Sequence, residues 1–176
     1  MSKRGNMDLK SFIRDVPDFP KPGIIFKDIT PLLGDSAAFA AMIDTFAEKY
    51  ANAGIKHVCG IESRGFIIGA ALALRMNVGF VPIRKAGKLP YKKIRREYSL
   101  EYGTDAIEIH ADSVAHGEKV LLVDDLVATG GTAAAAVALL QEIGAEIAGI
   151  AFAIELEFLH GREKFDQSKY FALLKY

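Results

Sequence analysis

An α/β fold, with a central parallel sheet flanked by helices, is what the sequence predicts, and three observations carry it. Strand and helix patterns alternate from about residue 36 to residue 154. Some strand patterns are continuous apolar runs, the mark of strands buried on both faces. The segments richest in chemistry follow strands, and right-handed crossovers bring such segments to one edge of a parallel sheet. At 176 residues the chain fits one domain and can bury roughly 70% of the surface its unfolded form exposes. With 51% hydrophobic and 25% charged residues, it is neither disordered nor fibrous.

The opening, through Pro17, Pro20 and Pro22-Gly23, reads as short irregular segments, because each proline fixes φ and removes a donor. Residues 1–34 are expected to form a small N-terminal hood over the carboxyl edge of the sheet, and residues 35–176 the core. Ser36 is the expected cap of a helix whose apolar positions Phe39, Met42, Ile43, Phe46 and Tyr50 recur at a spacing of three to four. Gly54 stands where a left-handed cap would end it. A short β-rich run at residues 57–61 precedes a helix at 65–76, and a second strand follows at 78–83. Residues 98–102 alternate, Gly103-Thr104-Asp105 is turn chemistry, and 106–110 alternate again, so a β-hairpin with a flexible loop is expected. A continuous apolar strand at 119–123, an Ala/Leu-rich helix at 132–143 ended by Gly144, and a strand at 146–154 complete the core.

Charge and targeting narrow the function. The longest apolar run, residues 65–74, has ten residues, half of the ~20 that span a bilayer. Lys3, Arg4, Asp8 and Lys10 leave no apolar core for a secretory signal, and the single Cys59 makes no internal disulfide. Both fit a reducing compartment, so a cytoplasmic location is expected. The net charge is zero, yet residues 84–96 hold seven basic and no acidic residues, leaving 15 basic against 22 acidic elsewhere. One basic segment on an acidic body suits a small polyanion better than a long nucleic acid, which asks for a broad basic face. No nucleic-acid or membrane partner is expected.

The strongest motif is VLLVDDLVATGGT at residues 120–132. Asp124 and Asp125 stand at the carboxyl end of a strand, where ligands sit in open α/β sheets. Ala128, Thr129, Gly130, Gly131 and Thr132 then turn into a helix. Converging N–H groups, two hydroxyls and the positive helix end make an anion cradle, with phosphate as the expected occupant. The paired carboxylates can accept bonds from vicinal hydroxyls and help hold a hard cation such as Mg²⁺, itself bound mainly through substrate and water. No Walker sequence occurs, since Gly87-Lys88 is followed by Leu89, and no G-x-G-x-x-G occurs either. The histidines and Cys59 show no metal-ligand spacing.

That motif resembles the phosphoribosyl diphosphate (PRPP) signature of the type I phosphoribosyltransferases. GIIFKDIT (23–30), ESRGF (62–66), RKAGKLP (84–90) and EYSLEYGTD (97–105) resemble the adenine-using branch of that family, from about Phe12 to the C-terminus. The resemblance implies transfer of the 5-phosphoribosyl group of PRPP to adenine, giving AMP and pyrophosphate with Mg²⁺, by a homodimer. It makes Glu62, Ser63 and Arg64 a pyrophosphate loop, places a non-proline cis peptide in the stretch from Ile61 to Arg64 and makes Arg64 catalytic, and the planar fork of Arg64 suits paired pyrophosphate oxygens. Arg84, Lys85 and Lys88 match the stretch that meets pyrophosphate, and Arg84 can reach across to a partner subunit. Lys92, Lys93, Arg95 and Arg96 match no motif. Glu101 falls at the family's general acid/base position beside the purine, and Tyr102 at an aromatic that helps cover the site. Ile25, Phe26 and Lys27 fall at the adenine-binding stretch, where backbone C=O and N–H complement the amino group and N1 of adenine. Lys27 replaces the usual arginine, which leaves backbone recognition intact. Leu156 matches a residue beside the base, and core packing explains it equally well. Two other readings remain: a phosphoribosyltransferase for another purine such as xanthine, or a PRPP-sensing regulator without turnover.

Overall fold

The computed structural model describes residues 7–99 and 103–176. Its N-terminal part is a two-stranded antiparallel sheet, β1 (Arg14–Pro17) with β2 (Ile25–Asp28), closed by a loop in which the Phe19–Pro20 peptide is cis and Phe19 packs edge-on to Phe26. A short helix, α1 (Thr30–Gly34), leads into α2 (Ser36–Tyr50). Asp35, not Ser36, caps α2: its carboxylate accepts from the N–H groups of Ala37 and Ala38 at 3.0 and 2.8 Å. A carboxylate satisfies two of the free amides and faces the positive helix end, which a hydroxyl one residue later cannot match. Gly54 has a left-handed φ of 71°, but α2 has already ended at Tyr50, so the glycine shapes the following turn.

The core follows as β3 (His57–Ile61), α3 (Arg64–Met76), β4 (Gly79–Lys85), β5 (Lys93–Ser99), β6 (Thr104–His110), β7 (Lys119–Val127), α4 (Gly131–Glu142), β8 (Glu146–Glu155) and β9 (Tyr170–Lys175). One seven-stranded sheet runs in the order β5-β6-β4-β3-β7-β8-β9. The strands from β4 to β9 in that order are parallel, while β6 is antiparallel to β4 and to β5. The expected hairpin pairing exists, with its first strand displaced to Lys93–Ser99 and Ser99 opposite Thr104. The basic run therefore became part of a strand: Lys93 pairs with Glu108 at 3.0 Å, Arg95 with Glu97 at 3.0 Å and Arg96 with Glu142 at 3.0 Å. Carboxylates of β6, of α4 and of β5 itself offset the mutual repulsion of these cations.

Two apolar clusters sandwich the sheet. Phe46, Met42, Ile68 and Leu72 of α2 and α3 pack on one face with Val58, Leu121 and Val123. Ala136, Leu139 and Leu140 of α4 pack on the other with Cys59, Leu122 and Phe152. β3 and β7 lie side by side at the centre, Gly60 opposite Val123, so their carboxyl ends open at the same level. α3 sits unusually close to them, because a side chain on Gly60 would come within 2.6 Å of the Gly65 carbonyl oxygen. The glycines thus set how near the first turn of α3 comes to the end of β7.

Candidate active site

A cleft of about 630 Å³ lies across the carboxyl ends of β3 and β7. Glu62, Ser63 and Arg64 enter it from the β3–α3 turn, and Asp124 to Ala133 from the end of β7 through the first turn of α4. Lys85, Lys88, Tyr98, Asp105 and Ile107 close it from the side of β4 and the hairpin. The structure thus brings together Glu62, Ser63, Arg64, Lys85, Lys88, Asp124, Asp125 and the whole 128–132 loop, most of the set read from the sequence. The Glu62–Ser63 peptide is cis.

Two helices begin in this cleft, α3 at Arg64 and α4 at Gly131. Gly130 caps α4 with a left-handed φ of 76°, a conformation that glycine adopts without penalty. Unpaired amides and the positive ends of two helix dipoles therefore point into one space.

Charge inside the cleft is finely paired. The Arg64 Nε–H donates to Asp125 Oδ2, and the Arg64 guanidinium lies 5.9 Å from the Phe26 ring. Burial alone would lower the pKa of Arg64, yet Asp125, Asp124 and Asp28 around it hold it above the usual value. Asp124 accepts from the Asp125 N–H at 2.8 Å. Loss of surrounding water, then the Asp125 charge, pushes the Asp124 pKa well above the ordinary carboxylate value. The Glu62 carboxylate gathers the basic stretch: it accepts from the Lys85 N–H at 3.1 Å, from the Arg84 Nε–H at 3.3 Å and from Lys88 Nζ. Burial would raise its pKa, and these bonds from Lys88, Lys85 and Arg84 outweigh burial and lower it. Lys85 Nζ lies 3.3 Å from Asp105, whose pKa is lowered chiefly by the Ala106 N–H and then by Lys85 and Tyr98. The Glu62 carboxylate is thus the shared acceptor of Arg84, the Lys85 backbone and Lys88 at the cleft.

Other residues stand outside the cleft wall. Arg84 reaches it only through Glu62 and the Lys88 carbonyl, at 3.3 Å each. Ile25 is 54% exposed and Phe26 is half-buried beside Arg64. The Lys27 side chain turns away, its Nζ 2.6 Å from Asp15 Oδ1 and 4.2 Å from the centre of the Tyr176 ring. Leu156 packs against the core cluster on the α2–α3 face, and its N–H donates to the Val127 carbonyl at 3.0 Å. Glu101 and Tyr102 lie outside the described residues. Tyr98 and Asp105 were missed as site residues. Both belonged to segments read only as hairpin, and the register that places Tyr98 opposite Asp105 on the cleft side is a property of the folded sheet.

Among the described residues no cluster of three or more metal-ligating side chains stands ready for an ion. The adjacent Asp124 and Asp125 are hard oxygen donors, and they fit a Mg²⁺ ion that takes most of its ligands from substrate phosphates and water.

Comparison with known proteins gives one consistent result. Residues 32–173 match the phosphoribosyl transferase domain family. The adenine phosphoribosyltransferase of Acidobacterium capsulatum is 57% identical over 168 residues, covering 96% of this chain and 93% of that protein. The crystal structure of the adenine phosphoribosyltransferase of Thermoanaerobacter pseudethanolicus superimposes with a TM-score of 0.91 at 48% identity, over 96% of this chain and 98% of that one. The Saccharomyces cerevisiae adenine phosphoribosyltransferase, complexed with D-2,5-dideoxy-2,5-imino-altritol 1,6-bisphosphate and adenine, gives 0.90 at 42% identity, over 94% of this chain and 96% of that one.

Proposed function

This chain belongs to the adenine phosphoribosyltransferases of the phosphoribosyl transferase family, and from that premise we propose how its cleft carries the reaction. The enzyme transfers the 5-phosphoribosyl group of PRPP to adenine, releasing pyrophosphate and forming AMP, a purine-salvage step. The observation that supports the site reading best is the convergence of two helix N-termini, an acidic pair and Arg64, Lys85 and Lys88 in one cleft.

The 5-phosphate sits on the amides and hydroxyls of residues 128–132 at the start of α4. Asp124 and Asp125 accept from the ribose hydroxyls. Ser63 and Arg64, with Lys85 and Lys88, take the pyrophosphate, whose negative charge grows as the C1–oxygen bond breaks. Each of these cations already has a carboxylate partner, so pyrophosphate competes with Asp125, Glu62 and Asp105 for them. Arg84 shares Glu62 with Lys88 and joins the same exchange. Asp124 and Asp125 would help to hold Mg²⁺, which would supply charge neutralisation for the leaving pyrophosphate. The hood, residues 1–34, presents the backbone of Ile25 to Lys27 to adenine, with Phe26 and Leu156 against the ring; the side chain of Lys27 takes no part because Asp15 and Tyr176 hold it. Glu101 takes the proton that leaves the purine as N9 attacks C1. The enzyme acts in the cytoplasm as a homodimer. No helix of the described residues is long and apolar enough to cross a membrane.

The test is incubation with PRPP, Mg²⁺ and each purine base separately, run on the wild type and on Glu101→Gln. AMP and pyrophosphate should form with adenine alone, and Glu101→Gln should keep PRPP affinity while kcat falls by about 10²–10⁴. Turnover of xanthine or hypoxanthine instead would overturn the base assignment. An unchanged kcat in Glu101→Gln would remove Glu101 from the chemistry.

A further inference from the structure

After β8 the chain makes two 3₁₀ turns, Glu157–Leu159 and Gly161–Lys164, before reaching β9. The second turn lies against the back of the 128–132 loop, backbone to backbone. A Cβ on Gly161 would run into the carbonyl oxygen of Ala128 and lie 3.0 Å from the nitrogen of Gly130. Conversely, a Cβ on Gly130 would lie 2.6 Å from the Gly161 carbonyl oxygen. Gly130 also needs its positive φ, whereas Gly161 has no positive φ, so contact alone excludes a side chain there.

The turn is itself anchored. Glu155, 1% exposed at the end of β8, faces Arg162 Nε at 3.9 Å and Lys175 Nζ at 3.7 Å. The Arg162 Nε–H donates to Gln167 Oε1 at 3.0 Å, Gln167 Nε2 donates back to the Arg162 carbonyl at 2.6 Å, and the guanidinium lies 5.5 Å from the Tyr170 ring centre. Glu155 also pairs in register with Val127, the last residue of β7 before the loop. Glu155 is thus bound to the strand that feeds the loop through its backbone and set against the brace through its buried carboxylate.

We infer that Gly161 is a positioning residue for phosphate: the brace held by Glu155 and Arg162 presses its backbone against Ala128 and Gly130 and sets where the loop amides point. This rests on the reading of residues 128–132 as the 5-phosphate cradle. Phosphate binding by converging amides depends on their direction, and a displacement of about 1 Å can cost up to about 10²-fold.

The experiment measures ribose 5-phosphate affinity, KM for PRPP, KM for adenine and Tm for the wild type, Gly161→Ala, Arg162→Ala and the double variant Thr129→Val/Thr132→Val. Gly161→Ala should weaken ribose 5-phosphate and raise KM for PRPP by about tenfold or more, with KM for adenine within about twofold of wild type. Arg162→Ala, which loosens the brace from behind, should move the same two quantities by a few-fold. Ribose 5-phosphate affinity within about twofold of wild type in Gly161→Ala, with the threonine variant clearly weakened, overturns the inference and leaves the cradle reading standing. Unchanged affinity in the threonine variant points instead to failure of the cradle reading. Should Gly161→Ala fail to fold, Arg162→Ala decides: unchanged KM for PRPP overturns the brace.

Discussion

Asp124 stands in the carboxyl-terminal half of β7 beside a second carboxylate, with the first turn of α3 close to it, since a Cβ on Gly65 would lie 2.9 Å from Asp124 Oδ1. Its raised pKa means that the fold favours the protonated acid. The stability consequence follows in sign. Below about pH 3.8, the ordinary value, Asp124 is protonated in both folded and unfolded chains. As pH rises the unfolded chain ionises first, and stability is lost until the folded carboxyl ionises too. Asp124→Asn keeps the carbonyl acceptor for the Asp125 N–H and removes the repulsion. It should raise Tm near pH 8 by about 2–4 °C, the equivalent of about 1 kcal/mol in a chain of this size, with the gain vanishing toward pH 3.5. The same variant should lose PRPP affinity. Thermal scans across that pH range decide the matter, and equal Tm values for variant and wild type at pH 8 would refute it. Such a residue, costly to the fold and retained at the ligand edge, is the pattern expected of a binding group.

At the scale of elements, strongly periodic segments were legible and locally ambiguous ones were not. The continuous apolar run at 119–123 announced a strand buried on both faces, the β-rich run at 57–61 a short strand, and the spacing of three to four in α2 a helix. β9 (Tyr170–Lys175) escaped notice because its pattern of partly buried residues has no alternation, and only parallel pairing with β8 makes it a strand. β5 escaped because four of its seven residues are charged, and their partners Glu108 and Glu142 lie far along the sequence. The place of residues 128–132 at the cleft could be read from sequence because that loop is contiguous. The hub at Glu62 could not, since it depends on β4 lying next to β3. α2 shows the same limit at finer grain, where two adjacent capping residues compete and geometry chooses Asp35. Asp35→Ala leaves two first-turn amides without their acceptor and should cost about 0.5–2 kcal/mol in urea unfolding, while Ser36→Ala should cost well under half of that. The reverse order would make Ser36 the cap in solution.

For the whole molecule, the remaining expectation is the homodimer, and α3 offers a surface for it. Ile67 is 46% and Leu74 84% exposed, and with Ala70 between them they lie on one stripe of the helix that faces away from the sheet. The same helix begins at Arg64 inside the cleft, so a two-fold contact along it would set two clefts close to one interface. Arg84 is tied to Glu62 of its own chain, beside the cleft of its own protomer. A charge placed at the most exposed point of the stripe should break an apolar contact without touching the core. Sedimentation velocity should therefore give a mass about twice 19.1 kDa for the wild type at micromolar concentration, and close to 19.1 kDa for Leu74→Asp. Because Asp124, Asp125, Arg64 and the 128–132 loop all line the cleft of a single chain, the monomeric variant should still bind ribose 5-phosphate. Its kcat should fall if the partner steadies the hairpin or lends a cation. A wild type that sediments as a monomer with full activity would end the dimer assignment, and a Leu74→Asp dimer would move the interface off this face of α3.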